Sequence, residues 1–457
     1  MIRTTMLALA VAGLACAPAS ASDDPQVLRG LLAAQSTQAA PGCALATYRD
    51  GRLRQLVSDG LSNLDTGTPI DGGTVFYAAS VSTQFTALAV VQLALQGKLD
   101  LDGDLRRWIP ELPVFAATVT PRMLLQHRSG ILDSLALVRL SAGPGQAAET
   151  SRERTLALVL AQTATNFAPG TSAWYSNGGY LLAAELVQRV SGRPFAEYVR
   201  QAILAPIGMH DSYVLDGEPP ASPRRAHGYV DGADGFEIRD TYPRYGGSGG
   251  LMLSLDDLGR YEYDIEHGHK VWTPQVRALM EAPGELHDGS PAYTKDRAGG
   301  RIYALGLMVG QRDGHWIVEH GGGADAFRHM YSRVPAQKLA VAVFCNRADR
   351  NVAAMADAAI ALLAPTGAHR AQLPATGLYR AQTLPARYLV SRIDRDSLSL
   401  AILPDGADAP AEVVQMRRDP DDDAFRGGGL QLTAPDADHL ELGTPRARGL
   451  RARRISP

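Results

Sequence analysis

Lysine is scarce in this chain of 457 residues, where it occurs only at Lys98, Lys270, Lys295 and Lys338. Neither sign of charge is in excess, because 45 basic residues face 48 acidic ones and the formal net charge is −3. A general nucleic-acid-binding protein would carry a strong basic excess. The composition therefore excludes that class, and we expect no nucleic-acid partner.

Long hydrophobic runs are also missing. The apolar run at 6–17 is too short to span a bilayer, and no later run is long enough. It follows Arg3 and precedes Ala19-Ser20-Ala21, the pattern of a secretory signal peptide with its cleavage site. We predict a signal peptide at 1–21, cut after Ala21, and a periplasmic or secreted protein with no transmembrane segment in its mature chain. Lipid attachment at Cys16 is an alternative, although the residues before it match a lipobox poorly.

Cysteine is almost absent, and the mature chain keeps only Cys43 and Cys345. An oxidising compartment would permit one disulfide between them, and two buried thiols are the alternative. The histidines offer no metal site, since there is no H-E-x-x-H and no aspartate follows the pair in 266–269 at metallohydrolase spacing. We predict neither a metal nor an organic cofactor.

The remaining composition is that of a globular protein, with 45% hydrophobic and 20% charged residues. Two strands around an Asp-Gly turn are predicted at 43–57, a helix after Ser80, and a strand at 339–344. A boundary follows at 365–367. Beyond it, short alternating runs separated by turn residues predict a small antiparallel barrel or sandwich. We therefore predict a main domain at 22–366 and a β-barrel-like domain at 373–457.

One local pattern imitates a different class of hydrolase. Residues 246–250 match G-x-S-x-G, and 320–323 match the oxyanion motif of α/β-hydrolases. That nucleophile elbow follows an apolar strand directly, whereas 240–245 is polar and contains Pro243. The two motifs also occur in the wrong order. We interpret 246–250 as a glycine-rich turn that lets backbone segments approach closely.

A second constellation consists of Ser80, Tyr175, Asn177 and His320-Gly321-Gly322-Gly323. A nucleophilic serine needs a base within hydrogen-bonding reach and donors for the oxyanion. Ser80 is predicted at the start of a helix, where free N–H groups favour negative charge. A tyrosine can act as the base if a nearby cation lowers its pKa, and an asparagine can orient a substrate amide.

Around these residues the sequence resembles the serine β-lactamase and penicillin-binding-protein-like hydrolases, above all the class C-like branch with its esterases, D-aminopeptidases and DD-peptidases. Segments similar to the family's motifs follow in the family's order over about residues 30–365: Phe76–Ala87, Thr120–Ile131, Phe167–Gly170, Trp174–Tyr180, Pro206–Met209, Gly249–Ser254 and His320–Gly323. The resemblance implies an α/β (α+β) fold in which helices flank an antiparallel sheet. An all-helical subdomain would carry Tyr175, and a small all-β domain would follow.

The resemblance also implies residue roles. Ser80 would be the nucleophile and Tyr175 the base and then the acid, while Asn177 and His320 would hold substrate and transition state. The N–H groups of Ser80 and Gly323 would form the oxyanion hole, and Gly322 would leave room for substrate beside its strand. The first and last strands of the implied sheet are neighbours, so we predict a disulfide between Cys43 and Cys345, which lie on them.

The sequence departs from the family at one important position. The nucleophile motif is S-x-x-K, and here its fourth residue is Thr83. A threonine carries no charge and can neither deprotonate the serine nor lower the pKa of the tyrosine. Two hypotheses follow: a serine hydrolase that forms an acyl-enzyme with an ester, a D-amino-acid peptide or a β-lactam, and a catalytically impaired relative. The second would bind peptidoglycan fragments or a protein partner. The sequence leaves the oligomeric state open.

Overall fold

The computed structural model describes residues 25–33, 39–115, 117–293, 301–365, 374–394, 397–407, 409–418, 424–434, 438–444 and 447–456. The predicted signal peptide and its cleavage site lie outside these residues. The chain divides between Ala364 and Pro365 into two compact units. Among the described residues, no helix combines the length and the apolar character needed to cross a bilayer.

The helices of the described residues all belong to the first unit. They are α1 (Pro25–Ala33), α2 (Thr83–Leu95), α3 (Pro121–Leu125), α4 (Ser134–Ala142), α5 (Arg152–Leu160), α6 (Asn177–Ser191), α7 (Phe195–Val199), α8 (Leu255–Tyr263), α9 (Pro274–Met280) and α10 (Val352–Leu363).

The strands are shared between the two units. The first unit contains β1 (Cys43–Arg49), β2 (Arg52–Asp59), β3 (Leu61–Asn63), β4 (Thr68–Pro69), β5 (Val75–Tyr77), β6 (Tyr213–Val214), β7 (Tyr229–Gly232), β8 (Gly235–Ile238), β9 (Leu251–Ser254), β10 (Ile302–Tyr303), β11 (Met308–Arg312), β12 (His315–Ala324), β13 (Phe327–Val334) and β14 (Leu339–Cys345). The second contains β15 (Gly377–Ala381), β16 (Ala386–Arg392), β17 (Ser397–Pro404), β18 (Glu412–Arg418), β19 (Phe425–Gly427), β20 (Leu430–Thr433), β21 (His439–Thr444) and β22 (Ala447–Ser456).

A seven-stranded antiparallel sheet organises the first unit, with the order β10-β11-β12-β13-β14-β1-β2. Side chains alternate between the two faces of each central strand. On β14, Ala342 and Phe344 join the large core that contains α2, whereas Val341 and Val343 pack in a second core with α1 and α10. The sheet is therefore covered on both faces, and the predicted fold is confirmed.

The first and last long strands of the sheet are direct neighbours. β1 pairs with β14 so that Cys43 lies opposite Cys345, and the two cysteines form a disulfide. Both are buried in the second core. This bond joins residues that are 302 positions apart in the chain.

Helix α2 lies inside the first unit. Residues 83–91 and Leu93 are all buried, so this helix meets solvent only near its C-terminal end, at Leu95. A helix that is enclosed on every side must be apolar around most of its circumference. It packs against α6 and α9, and it fixes the short turn that precedes it.

The second unit is a closed antiparallel barrel that runs from β15 to β22 in chain order. Its interior is filled by inward-facing side chains such as Tyr379, Val390, Leu400 and Leu432. The alternating pattern predicted either a barrel or a sandwich, and the strands close into the barrel.

Candidate active site

Ser80 lies in a short 3₁₀ turn, Ala79–Ser82, that runs directly into α2. The sequence predicted a serine at the start of a helix, and the α-helix itself begins only at Thr83. Ala79 adopts a positive φ of 47°, which is uncommon for a residue with a side chain. This turn presents Ser80 at the wall of a cavity, and the serine remains partly buried.

Thr83, the position of the missing lysine, is fully buried. Its hydroxyl lies 2.8 Å from the carbonyl oxygen of Ser80 and 3.1 Å from that of Gly306. A hydroxyl has one proton to donate, and the two carbonyls share it. Thr83 therefore stabilises the backbone of the nucleophile turn and places no charge beside Ser80.

Tyr175 lies in the loop before α6, and a buried histidine holds that loop. The backbone N–H of Ser176 donates to Nδ1 of His127 over 3.0 Å, and the rings of His127 and Tyr175 lie 4.2 Å apart. Tyr303 packs against the edge of the same histidine. His127 falls within the family-like segment Thr120–Ile131, but no local pattern indicates its role, because its contact with Ser176 spans 49 positions.

Asn177 is the first residue of α6, and Asp133 fixes its amide. One carboxylate oxygen of Asp133 accepts from the Asn177 backbone N–H at 2.7 Å and from its Nδ2 at 2.6 Å. A carboxylate only accepts, so the Asn177 NH₂ group must face it, and Oδ1 points elsewhere as an acceptor. The other oxygen of Asp133 caps α4 through Ala136. The sequence analysis did not single out Asp133.

The predicted third motif lies on β12, with each residue in a different setting. His320 is fully buried, with Nδ1 2.6 Å from the Gly321 carbonyl oxygen and Nε2 2.7 Å from the Tyr303 hydroxyl. It is not among the residues that line the cavity. A Cβ at Gly322 would lie 2.5 Å from the carbonyl oxygen of Ala78, so glycine is required for the strand to approach the nucleophile turn. Gly323 reaches the cavity wall.

The cavity has a volume of about 440 Å³. Of the residues predicted to form a site, Ser80, Tyr175, Asn177 and Gly323 line it together. The glycine-rich turn adds Ser248 and Gly249 to its wall. Gly249 has no room for a side chain, because a Cβ there would lie 2.5 Å from the hydroxyl oxygen of Tyr77.

A second tyrosine, Tyr77, also lines the cavity. Its hydroxyl oxygen accepts from the backbone N–H of Gly250, and its ring stacks on Tyr242 with centroids 3.9 Å apart. Burial raises the pKa of Tyr77 far above its ordinary value. Tyr77 therefore stays a neutral phenol and cannot act as a base at physiological pH.

Basic side chains are missing from the described lining of the site. Among the described residues, no lysine, arginine or histidine side chain lines the cavity. No cluster of three or more histidine, cysteine, aspartate or glutamate side chains in the described part of the chain is arranged to hold a metal ion. The described lining offers a hydroxyl nucleophile, two phenols, an amide, one carboxylate (Asp325) and backbone donors.

Comparisons with known proteins show the family to which the chain belongs. The family model described as Beta-lactamase matches residues 26–365. A D-aminopeptidase from Gluconobacter oxydans (strain 621H) is 29% identical over 343 residues, which cover 74% of this chain and 62% of that protein. The chain thus spans less than two thirds of that relative's length.

Two other similarities extend the comparison. Penicillin-binding protein 4 from Amycolatopsis lactamdurans is 30% identical over 326 residues, covering 63% of this chain and 82% of that protein. The solved octameric penicillin-binding protein homologue from Pyrococcus abyssi is 23% identical with a TM-score of 0.63, covering 91% of this chain and 96% of that one. At that identity the structure supports the fold alone. The family model covers well over half of the chain, so the protein belongs to the β-lactamase family of serine hydrolases.

Proposed function

We propose that this protein is a secreted or periplasmic hydrolase that forms an acyl-enzyme on Ser80 and cleaves small amides or esters, D-amino-acid peptides first among them. The observation that carries the proposal is that Ser80, Tyr175, Asn177 and Gly323 line one cavity. The D-aminopeptidase similarity supports the choice of substrate class. Ester and β-lactam cleavage use the same chemistry and are tested alongside it.

The reaction begins when Ser80 Oγ bonds to the scissile carbonyl carbon and the carbonyl π electrons move onto its oxygen. The N–H groups of Ser80 and Gly323 donate to that oxyanion. The hydroxyl proton passes to Tyr175 Oη, which gives it to the leaving nitrogen or oxygen as the bond to carbon breaks. Water then attacks the acyl-enzyme by the same steps and releases Ser80. The fixed Oδ1 of Asn177 accepts an N–H of the substrate.

Thr83 determines how fast this chemistry runs. General-base assistance supplies about 10²–10⁴-fold in rate, and it is weakest when no cation keeps the tyrosine ready to accept a proton. We therefore expect slow turnover in the native protein and faster acylation after Thr83→Lys. Oxyanion donors and substrate positioning still accelerate a serine reaction when its proton acceptor is poor.

A second function, binding without turnover, is favoured by the same residue. The Thr83 hydroxyl is committed to two backbone carbonyls, and no basic side chain among the described residues lines the cavity. Such a protein would hold peptidoglycan fragments or a protein partner and leave Ser80 unreactive.

The deciding experiment is intact-protein mass after incubation with a fluorophosphonate and, separately, with a penicillin. The native protein, Ser80→Ala and Thr83→Lys are compared, with Ser248→Ala as the matched control because Ser248 lines the same cavity. We expect one adduct on the native protein and on Ser248→Ala, and none on Ser80→Ala. Adduct formation on Thr83→Lys alone would overturn the hydrolase and favour binding without turnover.

The same mass measurement tests secretion. The 1–21 leader supports export, and an oxidising compartment is where disulfides such as Cys43–Cys345 persist. Protein recovered from the periplasm or the medium should begin at Ser22 and carry the mass of the oxidised pair. Recovery of the uncleaved chain from the cytoplasm of its native host would contradict the proposal.

A further inference from the structure

The described lining of the cavity beside Ser80 carries a single formal charge. Asp325 is the only charged side chain among the described residues that line it, and the remainder are apolar, hydroxyl, phenol or amide groups and glycine. A single carboxylate in a cleft attracts a cation and repels an anion. The negative charge of Asp325 in the cavity lining therefore indicates that a preferred substrate carries a positive charge.

Asp325 follows the proposed oxyanion strand directly. It occupies the two-residue turn between β12 and β13, where Ala324 pairs with Phe327, and its φ is 25°. Aspartate tolerates such a conformation better than most residues with side chains. Because Asp325 is two positions from Gly323 in the chain, their Cα atoms lie at most about 7 Å apart.

The carboxylate is held toward the cavity by a neighbour and is not neutralised. Thr241, which also lines the cavity, donates its hydroxyl proton to Oδ2 of Asp325. The nearby Arg328 donates to the backbone oxygens of Asp325 and Phe327 at 3.0 and 2.7 Å. In the described part of the chain, no basic side chain forms an ion pair with Asp325.

We propose that Asp325, positioned by Thr241, binds the ammonium group of the substrate and so selects acyl compounds with a free amino group beside the scissile carbonyl. In an α-amino amide the ammonium is attached to the carbon next to that carbonyl, so a carbonyl oxygen bound at Gly323 leaves the ammonium within one residue's length of it, in the part of the cavity that Asp325 lines. Acylation of the amino group removes its positive charge and should abolish this contact. The inference rests on the proposed function for the reaction that follows binding, whereas the binding of the ammonium group itself does not depend on it.

Calorimetric binding tests the proposal without requiring turnover. The ligands are D-alaninamide, which carries an ammonium, and N-acetyl-D-alaninamide, which is neutral, measured with the native protein and Asp325→Asn. The matched control is Asp234→Asn, an exposed aspartate in the turn between β7 and β8. A hydrogen-bonded charge pair changes affinity by about 10- to 100-fold.

The expected result is that the native protein and Asp234→Asn bind D-alaninamide about 10-fold or more tightly than the acetylated amide. In Asp325→Asn that preference should disappear while affinity for the acetylated amide stays the same. Equal affinity of the native protein for both ligands, or an equal loss of both in Asp325→Asn, would overturn the inference.

Fluorophosphonate labelling separates this outcome from failure of the proposed hydrolase. Labelling of Asp325→Asn at the native rate would demonstrate an intact nucleophile and a change confined to recognition. If the native protein is not labelled by the fluorophosphonate but still prefers D-alaninamide, the proposed hydrolase is wrong and the ammonium site is supported. A labelled native protein without that preference would keep the hydrolase and reject the site.

Discussion

At the scale of single residues, Thr83 replaces the charged lysine of the family motif with a hydroxyl that forms a structural hydrogen bond. Its buried hydroxyl joins the carbonyl of the nucleophile to the carbonyl of Gly306, which lies before β11 and is 223 positions away. Gly306 itself has a φ of 72° and leaves no room for a Cβ, which would lie 2.7 Å from the Thr83 carbonyl oxygen. The nucleophile turn is therefore fixed by contacts that require a small polar residue at position 83 and glycine at position 306.

Replacing Thr83 by valine tests this structural role. The shape is kept but both carbonyls lose their donor, so we expect a loss of about 1–3 kcal/mol in the free energy of unfolding. All four tryptophans precede residue 365, so their fluorescence in a urea titration reports on the first unit. Thr171→Val is the control, because the exposed Thr171 hydroxyl makes a comparable bond to Ala168. A midpoint that falls equally in both variants would contradict this role.

At the scale of elements, a buried histidine joins the sheet to β5, the strand that leads into the nucleophile turn. His329 on β13 bonds through Nε2 to the carbonyl oxygen of Tyr77, the last residue of β5, over 2.8 Å. Phe76 and Phe344 surround its ring. Burial lowers the pKa of His329 to about 3, with a smaller contribution from Arg328. The imidazole is therefore neutral in the folded protein, and protonation of this residue favours unfolding.

This lowered pKa predicts a pH dependence of stability. The unfolded histidine titrates near 6.5 and the folded one near 3, so the unfolded state binds more protons between those values. Stability from this group is complete above pH 6.5 and falls as the pH drops toward 3, by up to about 1.4 kcal/mol per pH unit.

Urea unfolding at several pH values between 4 and 7 measures the effect. His329→Gln keeps an N–H donor but cannot titrate, so its stability should fall less steeply with acid than that of the native protein. His210→Gln, at an exposed histidine, should retain the native slope. Identical slopes for the native protein and His329→Gln would mean that His329 does not resist protonation.

Local sequence patterns predicted the helices and strands that carry the site. They predicted the contacts between those elements less well. The Asp-Gly turn of β1 and β2, the helix after Ser80 and the strand predicted at 339–344 all depend on neighbouring residues. The roles of Asp133 and His127 depend on partners 44 and 49 positions away, which no local pattern contains. The family order of motifs brought Ser80 and Tyr175 together, because an inherited topology carries the long-range information that periodicity lacks.

At the scale of the whole molecule, the core of the barrel is separate from the two cores of the first unit, which implies two unfolding units. The barrel interior forms a cluster of its own, and the sheet of the first unit is flanked by two others. The first unit is closed by the pairing of β1 with β14, which brings residues 43–49 next to residues 339–345. Ordering so long a stretch is costly in chain entropy, and a cross-link at its ends offsets part of that cost.

The disulfide should therefore stabilise the first unit and leave the barrel unchanged. Replacing both Cys43 and Cys345 with alanine is expected to lower the free energy of unfolding of the first unit by about 2–5 kcal/mol, because the unfolded chain loses its cross-link. Tryptophan fluorescence in urea follows this unit. With a reductant present, the urea midpoint of the native protein should fall close to that of the double variant. The midpoint of the double variant itself should not change when the reductant is added. Equal urea midpoints for the native protein and the double variant, both measured without reductant, would refute the stabilising role. A closed cross-link between these strands must restrict the unfolded chain and so raise the midpoint of the native protein.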